Sequence, residues 1–170
     1  TLNIQPNTLA ITLSASVNTI CAGDDITYNA TPAGYQSYTF LVNNAPVQTS
    51  PSATFVAHNL APGDSVTVLG FDGVCFTNPS TTHHPVVNPI PAVTLTSSDA
   101  DDTICAGDPV TFTATPAGYA NYNFFVGSAS QQSSTNNTWT TSTLSANNPV
   151  KVVVTDLGCS NTSNIITLFV

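Results

Sequence analysis

Few residues in this chain can do chemistry, and the four cysteines come first: Cys21, Cys75, Cys105 and Cys159. Thiols bind metals, act as nucleophiles or form disulfides. Zinc sites bring cysteines in close C-x-x-C pairs, and that spacing is absent. Pairing Cys21 with Cys75 and Cys105 with Cys159 closes two loops of equal length, each stabilising by roughly 4 kcal/mol through lost chain entropy. Two such disulfides are the expectation, and they place the chain in an oxidising, extracytoplasmic compartment. Nucleophilic catalysis needs a base and an orienting group beside the nucleophile. The histidines are His58, His83 and His84, and the neighbours His83 and His84 would point to opposite faces of a strand. No catalytic constellation emerges, and the chain is read as not an enzyme.

Calcium prefers several oxygen donors, and Asp99, Asp101 and Asp102, with Asp108 close behind, form an acidic cluster. They are calcium candidates, set against a solvated acidic loop; the expectation is no metal and no cofactor. Tyr35, Tyr119 and Trp139 could stack on sugar rings as a binding platform, set against a place in the core and at its corners. Lys151 is the only basic residue. That excludes phosphate-backbone binding to nucleic acid and leaves a trypsin-like protease one site to cut.

These residues are set in an internal repeat. TICAGD at Thr19–Asp24 recurs at Thr103–Asp108, and ATPAGY at Ala30–Tyr35 recurs at Ala114–Tyr119, each displaced by 84 positions. The register continues without a gap through Tyr38/Tyr122, Phe40/Phe124, Phe55/Trp139 and Val68/Val152, and Cys21 and Cys75 fall on Cys105 and Cys159. None of the histidines has a counterpart in the second copy, and Asp99, Asp101 and Asp102 have none in the first, where Ala15, Val17 and Asn18 stand. Two copies of one domain are expected, residues 1–88 and 89–170, joined in the proline-rich NPIPAV stretch, with residues 1–6 as the end of a preceding repeat.

Within each copy the apolar period is two, as in Ile26, Tyr28 and Ala30 or Val110, Phe112 and Ala114, which is the signature of half-buried strands. Turn signals such as PAG, APGD and DG cut the strands short. About seven strands per copy and no helix predict two all-β, two-sheet sandwiches. Composition agrees: 41% of residues are hydrophobic, enough for a core, while 6% are charged and the net charge is −8. Ordinary soluble domains are about 25% charged, so the surface here is hydroxyl and amide. No apolar run is long enough to span a membrane, and no signal-peptide pattern is seen.

The string TICAGDPVTFTATPAGYANYNFFV, a GDSVTV-like segment and a D-x-x-G-C turn (DLGCSNTSN in the second copy) together resemble the Ig-like or PKD-like repeats of large cell-surface adhesins of Bacteroidota, of the gliding-motility type. The resemblance covers nearly the whole chain. It implies tandem Ig-like/PKD-like β-sandwiches in an outer-surface fibre exported by the type IX route, whose C-terminal sorting domain is not among these residues. The first copy departs from the pattern late, where STTHHPVV stands in place of NIITLFV, leaving its last strand open. The resemblance also implies O-glycosylation at Asp-Ser/Thr-aliphatic acceptors, which Ser65 and Thr103 match. The expected function is a structural, non-enzymatic tandem repeat segment of an extracellular cell-surface adhesin or fibre. Its partners are neighbouring repeats or identical subunits, with surface glycans as a further class. Two alternatives stay open: a self-assembling filament subunit that polymerises by terminal strand exchange, and a carbohydrate-binding module of a secreted protein.

Overall fold

The chain divides into two compact units, Thr1–Asn88 and Pro89–Val170, of which the structure, a computed structural model, describes residues 9–170. Residues 1–6, expected to end a preceding repeat, lie outside the described residues. No helix among the described residues is long and apolar enough to cross a membrane.

The first unit carries β1 (Thr12–Ala15), β2 (Thr19–Cys21), β3 (Ile26–Thr31), β4 (Ser37–Val42), β5 (Ala45–Ser50), β6 (Thr54–Ala57), β7 (Val66–Phe71) and β8 (Val86–Asn88). One sheet has the order β1-β3-β6 and the other β5-β4-β7, while β2 pairs in parallel with β8. The second unit carries β9 (Thr94–Ser97), β10 (Val110–Thr115), β11 (Asn121–Val126), β12 (Ala129–Ser134), β13 (Thr138–Thr141), β14 (Pro149–Asp156), β15 (Cys159–Thr162) and β16 (Ile166–Thr167). Its sheets are β9-β10-β13 and β12-β11-β14-β15, with β16 also on β14.

The period-two pattern explains both cores. β3 buries Ile26, Tyr28 and Ala30, and β10 buries Val110, Phe112 and Ala114, with Thr and Asn side chains between them facing outward. Facing sheets supply Tyr38, Phe40, Val66 and Val68 in the first unit, and Tyr122, Phe124, Val150, Val152 and Val154 in the second. Each fully buried apolar side chain of this size contributes roughly 1.5–3 kcal/mol. The two units also share a bulge, between Phe40 and Leu41 on β4 and between Phe124 and Phe125 on β11. The edge strands β5 and β12 are mostly exposed, and β5 carries Pro46, which blunts further pairing.

The ungapped register does not reach the end of the repeat. Val68 corresponds to Val152, yet Val68 pairs with Ser80 and Val152 with Ser163, so the second copy is one residue shorter before its last strand. The last strand that the sequence leaves open in the first copy is present in pieces. Thr77 Oγ1 accepts the Gly70 N–H at 3.0 Å, Ser80 Oγ accepts the Val68 N–H at 3.1 Å, and His83 bridges Val66. Ser163 Oγ does the same for Val152 at 3.0 Å. Thr77, Ser80 and Ser163 are the buried polar residues among those described, and each is buried because it satisfies a backbone donor that would otherwise cost about 1–3 kcal/mol.

Candidate functional site

In the first unit the two cysteines sit at opposite ends. β7 runs antiparallel to β4, with Phe71 against Ser37 and Val66 against Val42. Cys75 lies just past the Phe71 end, in a turn where Asp72 Oδ1 accepts the N–H groups of Val74 and Cys75, each at 2.8 Å. Those bonds, the one from Cys75 foremost, hold the Asp72 carboxyl below the usual carboxylate range. Cys21 ends β2, opposite Asn88 on β8. The chain reaches β8 only after His83, which bridges Val66 at the far end of β7. The steps from Val66 to Phe71 alone span about 17 Å at a strand's rise per residue, and a disulfide needs Cα atoms within about 7 Å.

The second unit repeats the arrangement. Cys159 pairs with Asp156 across the hairpin that ends β14, while Cys105 lies beyond Thr103, whose bridge to Phe169 is past the Pro149 end of the same strand. β14 spans about 23 Å between those ends. The expected pairs Cys21–Cys75 and Cys105–Cys159 are therefore not formed. Cys21 and Cys159 are disulfide-bonded, and Cys75 and Cys105 carry free, exposed thiols.

The acidic cluster orders a loop. Asp99 Oδ1 and Asp101 Oδ1 both accept the Thr103 N–H, at 3.0 and 3.2 Å, and Asp102 takes a left-handed conformation with φ 57°. The Asp108 N–H donates to the Cys105 carbonyl. Among the described residues no group of three or more His, Cys, Asp or Glu side chains that could hold a metal is assembled.

The candidate sugar platform is engaged elsewhere. Trp139 stacks on Phe112 with ring centroids 5.6 Å apart and packs on Phe124 at 6.1 Å. Tyr35 and Tyr119 belong to corners that the two units build identically. Tyr38 Oη donates to the Pro32 carbonyl and accepts the Tyr35 N–H; Tyr122 Oη does the same with Pro116 and Tyr119. Gly34 and Gly118, at φ 105°, supply the left-handed residue that a Cβ would disfavour. The outer tyrosines then reach back to the lead-in of each unit's first strand, Tyr35 to the Ala10 carbonyl at 3.0 Å and Tyr119 to the Ala92 carbonyl at 2.9 Å. ATPAGY followed by a tyrosine three residues later is the sequence signal for this corner.

The remaining candidates are separate from one another. Thr103 is exposed, with Oγ1 donating to the Asp101 carbonyl at 3.4 Å, whereas Ser65 is half-buried and its N–H and Oγ are both directed at Asn43 Oδ1. Lys151 sits on β14 with Nζ 5.8 Å from the Phe125 ring centroid. His83 is wedged between Tyr28 and Asn18. Asn18 Oδ1 can only accept, so Nε2 carries the proton and Nδ1 accepts from Tyr28 Oη at 3.1 Å. Burial pushes the Tyr28 hydroxyl up to about 12, which keeps it a donor. Burial first, and the nearby His84 second, hold His83 below its ordinary value.

No protein-family model and no curated protein matches this chain. Among solved structures, it is similar to a chain in the crystal structure of mouse coronavirus receptor-binding domain complexed with its murine receptor, at 12% identity and TM-score 0.51, covering 95% of this chain and 100% of that one. The fold is an Ig-like β-sandwich. Clostridium thermocellum CbhA fibronectin(III)-like modules are also similar, at 16% identity and TM-score 0.47, with 94% of each chain covered. The parallel pairing of β2 with β8 carries Cys21 out to one end of the first unit, and the parallel bridge between Thr103 and Phe169 is its counterpart in the second.

Proposed function

We propose that the chain is a structural, non-enzymatic repeat segment of an extracellular surface adhesin or fibre, of the Bacteroidota gliding-motility type and exported by the type IX route. One observation carries this reading. The same sandwich, corner and cysteine placement are built twice, yet no reactive cluster is built in either copy among the described residues. Repetition of a stabilising frame without a repeated reactive site suits a spacer whose neighbours are other repeats. The disulfide belongs to an oxidising compartment, and O-glycans on Ser65 and the exposed Thr103 would solubilise a surface with little charge. Strand exchange is the weaker alternative, because the apolar end of the chain is used at home: Ile166 pairs with Val150, and Leu168 is buried. A sugar module is weaker still, since the Trp139 ring is packed against core aromatics. Immunogold labelling of the source cells with antibody to this chain tests the reading. Label on threads outside the cell supports it, and label confined to the cytoplasm overturns it.

A further inference from the structure

We propose that Cys75 and Cys105 are the two halves of a head-to-tail joint, in which Cys105 of one copy of this chain forms a disulfide with Cys75 of the next. The proposal stands on cysteine placement and does not rest on the adhesin reading. The repeat makes Cys75 the equivalent of Cys159 and Cys105 the equivalent of Cys21. The disulfide-bonded cysteines, Cys21 and Cys159, are thus one strand-end thiol and one hairpin-turn thiol. The two left free are one of each kind again, from the opposite repeats. Both positions are shown, by their own equivalents, to be disulfide-forming. Cys75 and Cys105 belong to different units, and in the single chain both thiols are free and exposed, so each takes its complementary partner from another copy.

The surroundings of the two thiols differ in the sense that docking requires. Cys75 is flanked by Val74 and Phe76, 84% and 55% exposed, an apolar tip of the kind found at contact sites. Cys105 opens on a cleft of about 400 Å³ lined by Ser98, Asp99, Thr103, Ile104 and Asp108. A protruding apolar turn meets a recess, and head-to-tail contacts between a knob and a recess generate chains when the rotation does not close.

The step is a thiol–disulfide exchange with a small-molecule disulfide as oxidant. The thiolate of one cysteine attacks oxidised glutathione, releasing one glutathione thiol. The second cysteine's thiolate displaces the other, so that one Sγ–Sγ bond forms between copies, the oxidant's S–S bond breaks, and the two thiol protons pass to the glutathione produced.

The test uses the whole chain incubated with oxidised glutathione and run without reductant. A ladder of monomer multiples that collapses on reduction is expected, with linked peptides containing Cys75 and Cys105. Cys75→Ser and Cys105→Ser should each remain monomeric alone, and an equimolar mixture should stop at a dimer. In the unmodified chain, Val74→Ser, which removes the apolar tip without adding a charge beside Cys75, should slow ladder growth several-fold. Dimers of either single variant alone, a ladder lacking the Cys75–Cys105 peptide, or monomer in which both thiols have been consumed would each overturn the proposal.

Discussion

At the scale of single residues, the two corners show how one sequence difference is absorbed. A Cβ on Gly70 would lie 2.7–2.9 Å from the Tyr35 ring, so that ring lies directly on the backbone of β7. The equivalent position in the second unit is Val154, fully buried, and there the tyrosine rings adopt a different angle: Tyr35 stands at 80° to Tyr38, Tyr119 at 38° to Tyr122. Gly70→Ala therefore overpacks the first corner only, and chemical denaturation should report a loss of about 1–3 kcal/mol. In a Tyr35→Ala background the same change should cost less. His83 gives the first unit a pH dependence that the second lacks. Its folded pKa is depressed, so the unfolded chain binds the proton more readily. The stability that neutral His83 contributes is complete above its ordinary value near 6.5 and is lost as pH falls through that region and below. Melting temperatures at pH 7.5 and pH 5 should differ more for the unmodified protein than for His83→Gln.

At the scale of elements, strands were legible because each buries alternate residues, as Ile26, Tyr28 and Ala30 do on β3. The corner was legible as a repeated string, although its hydrogen bonds were not. Three features escaped the pattern. The last strand of the first copy hides behind STTHHPVV because it is held by hydroxyls and a bridging histidine instead of an apolar stripe. The one-residue shortening of the second copy leaves no mark when most of the aligned residues are polar. The cysteine partners escaped because loop lengths say nothing about which end of a sandwich a strand terminus occupies. The hydroxyls on the last strands are open to test. Removing the Ser163 Oγ strands the buried Val152 N–H, so Ser163→Ala should destabilise the second unit by about 1–3 kcal/mol. Ser163→Thr, which keeps the hydroxyl, should recover part of that loss.

At the scale of the whole molecule, near-absence of charge and a stapled β-frame have one shared consequence. Lys151 is the only trypsin-type site, and it lies within β14, whose backbone is paired on both sides. The folded chain should resist trypsin, and unfolding should yield a single cut whose two fragments separate on reduction; the rate of that cut at increasing denaturant reports opening of the second unit. Each unit places its cysteines at opposite ends, so that no disulfide closes within a unit. Alkylation of the native chain with one reagent, followed by reduction and alkylation with a second of different mass, tests it most directly. The first label is expected on Cys75 and Cys105 and the second on Cys21 and Cys159. In the monomeric chain, peptides linking Cys21 to Cys75 or Cys105 to Cys159, or a first label on Cys21 or Cys159, would contradict this placement.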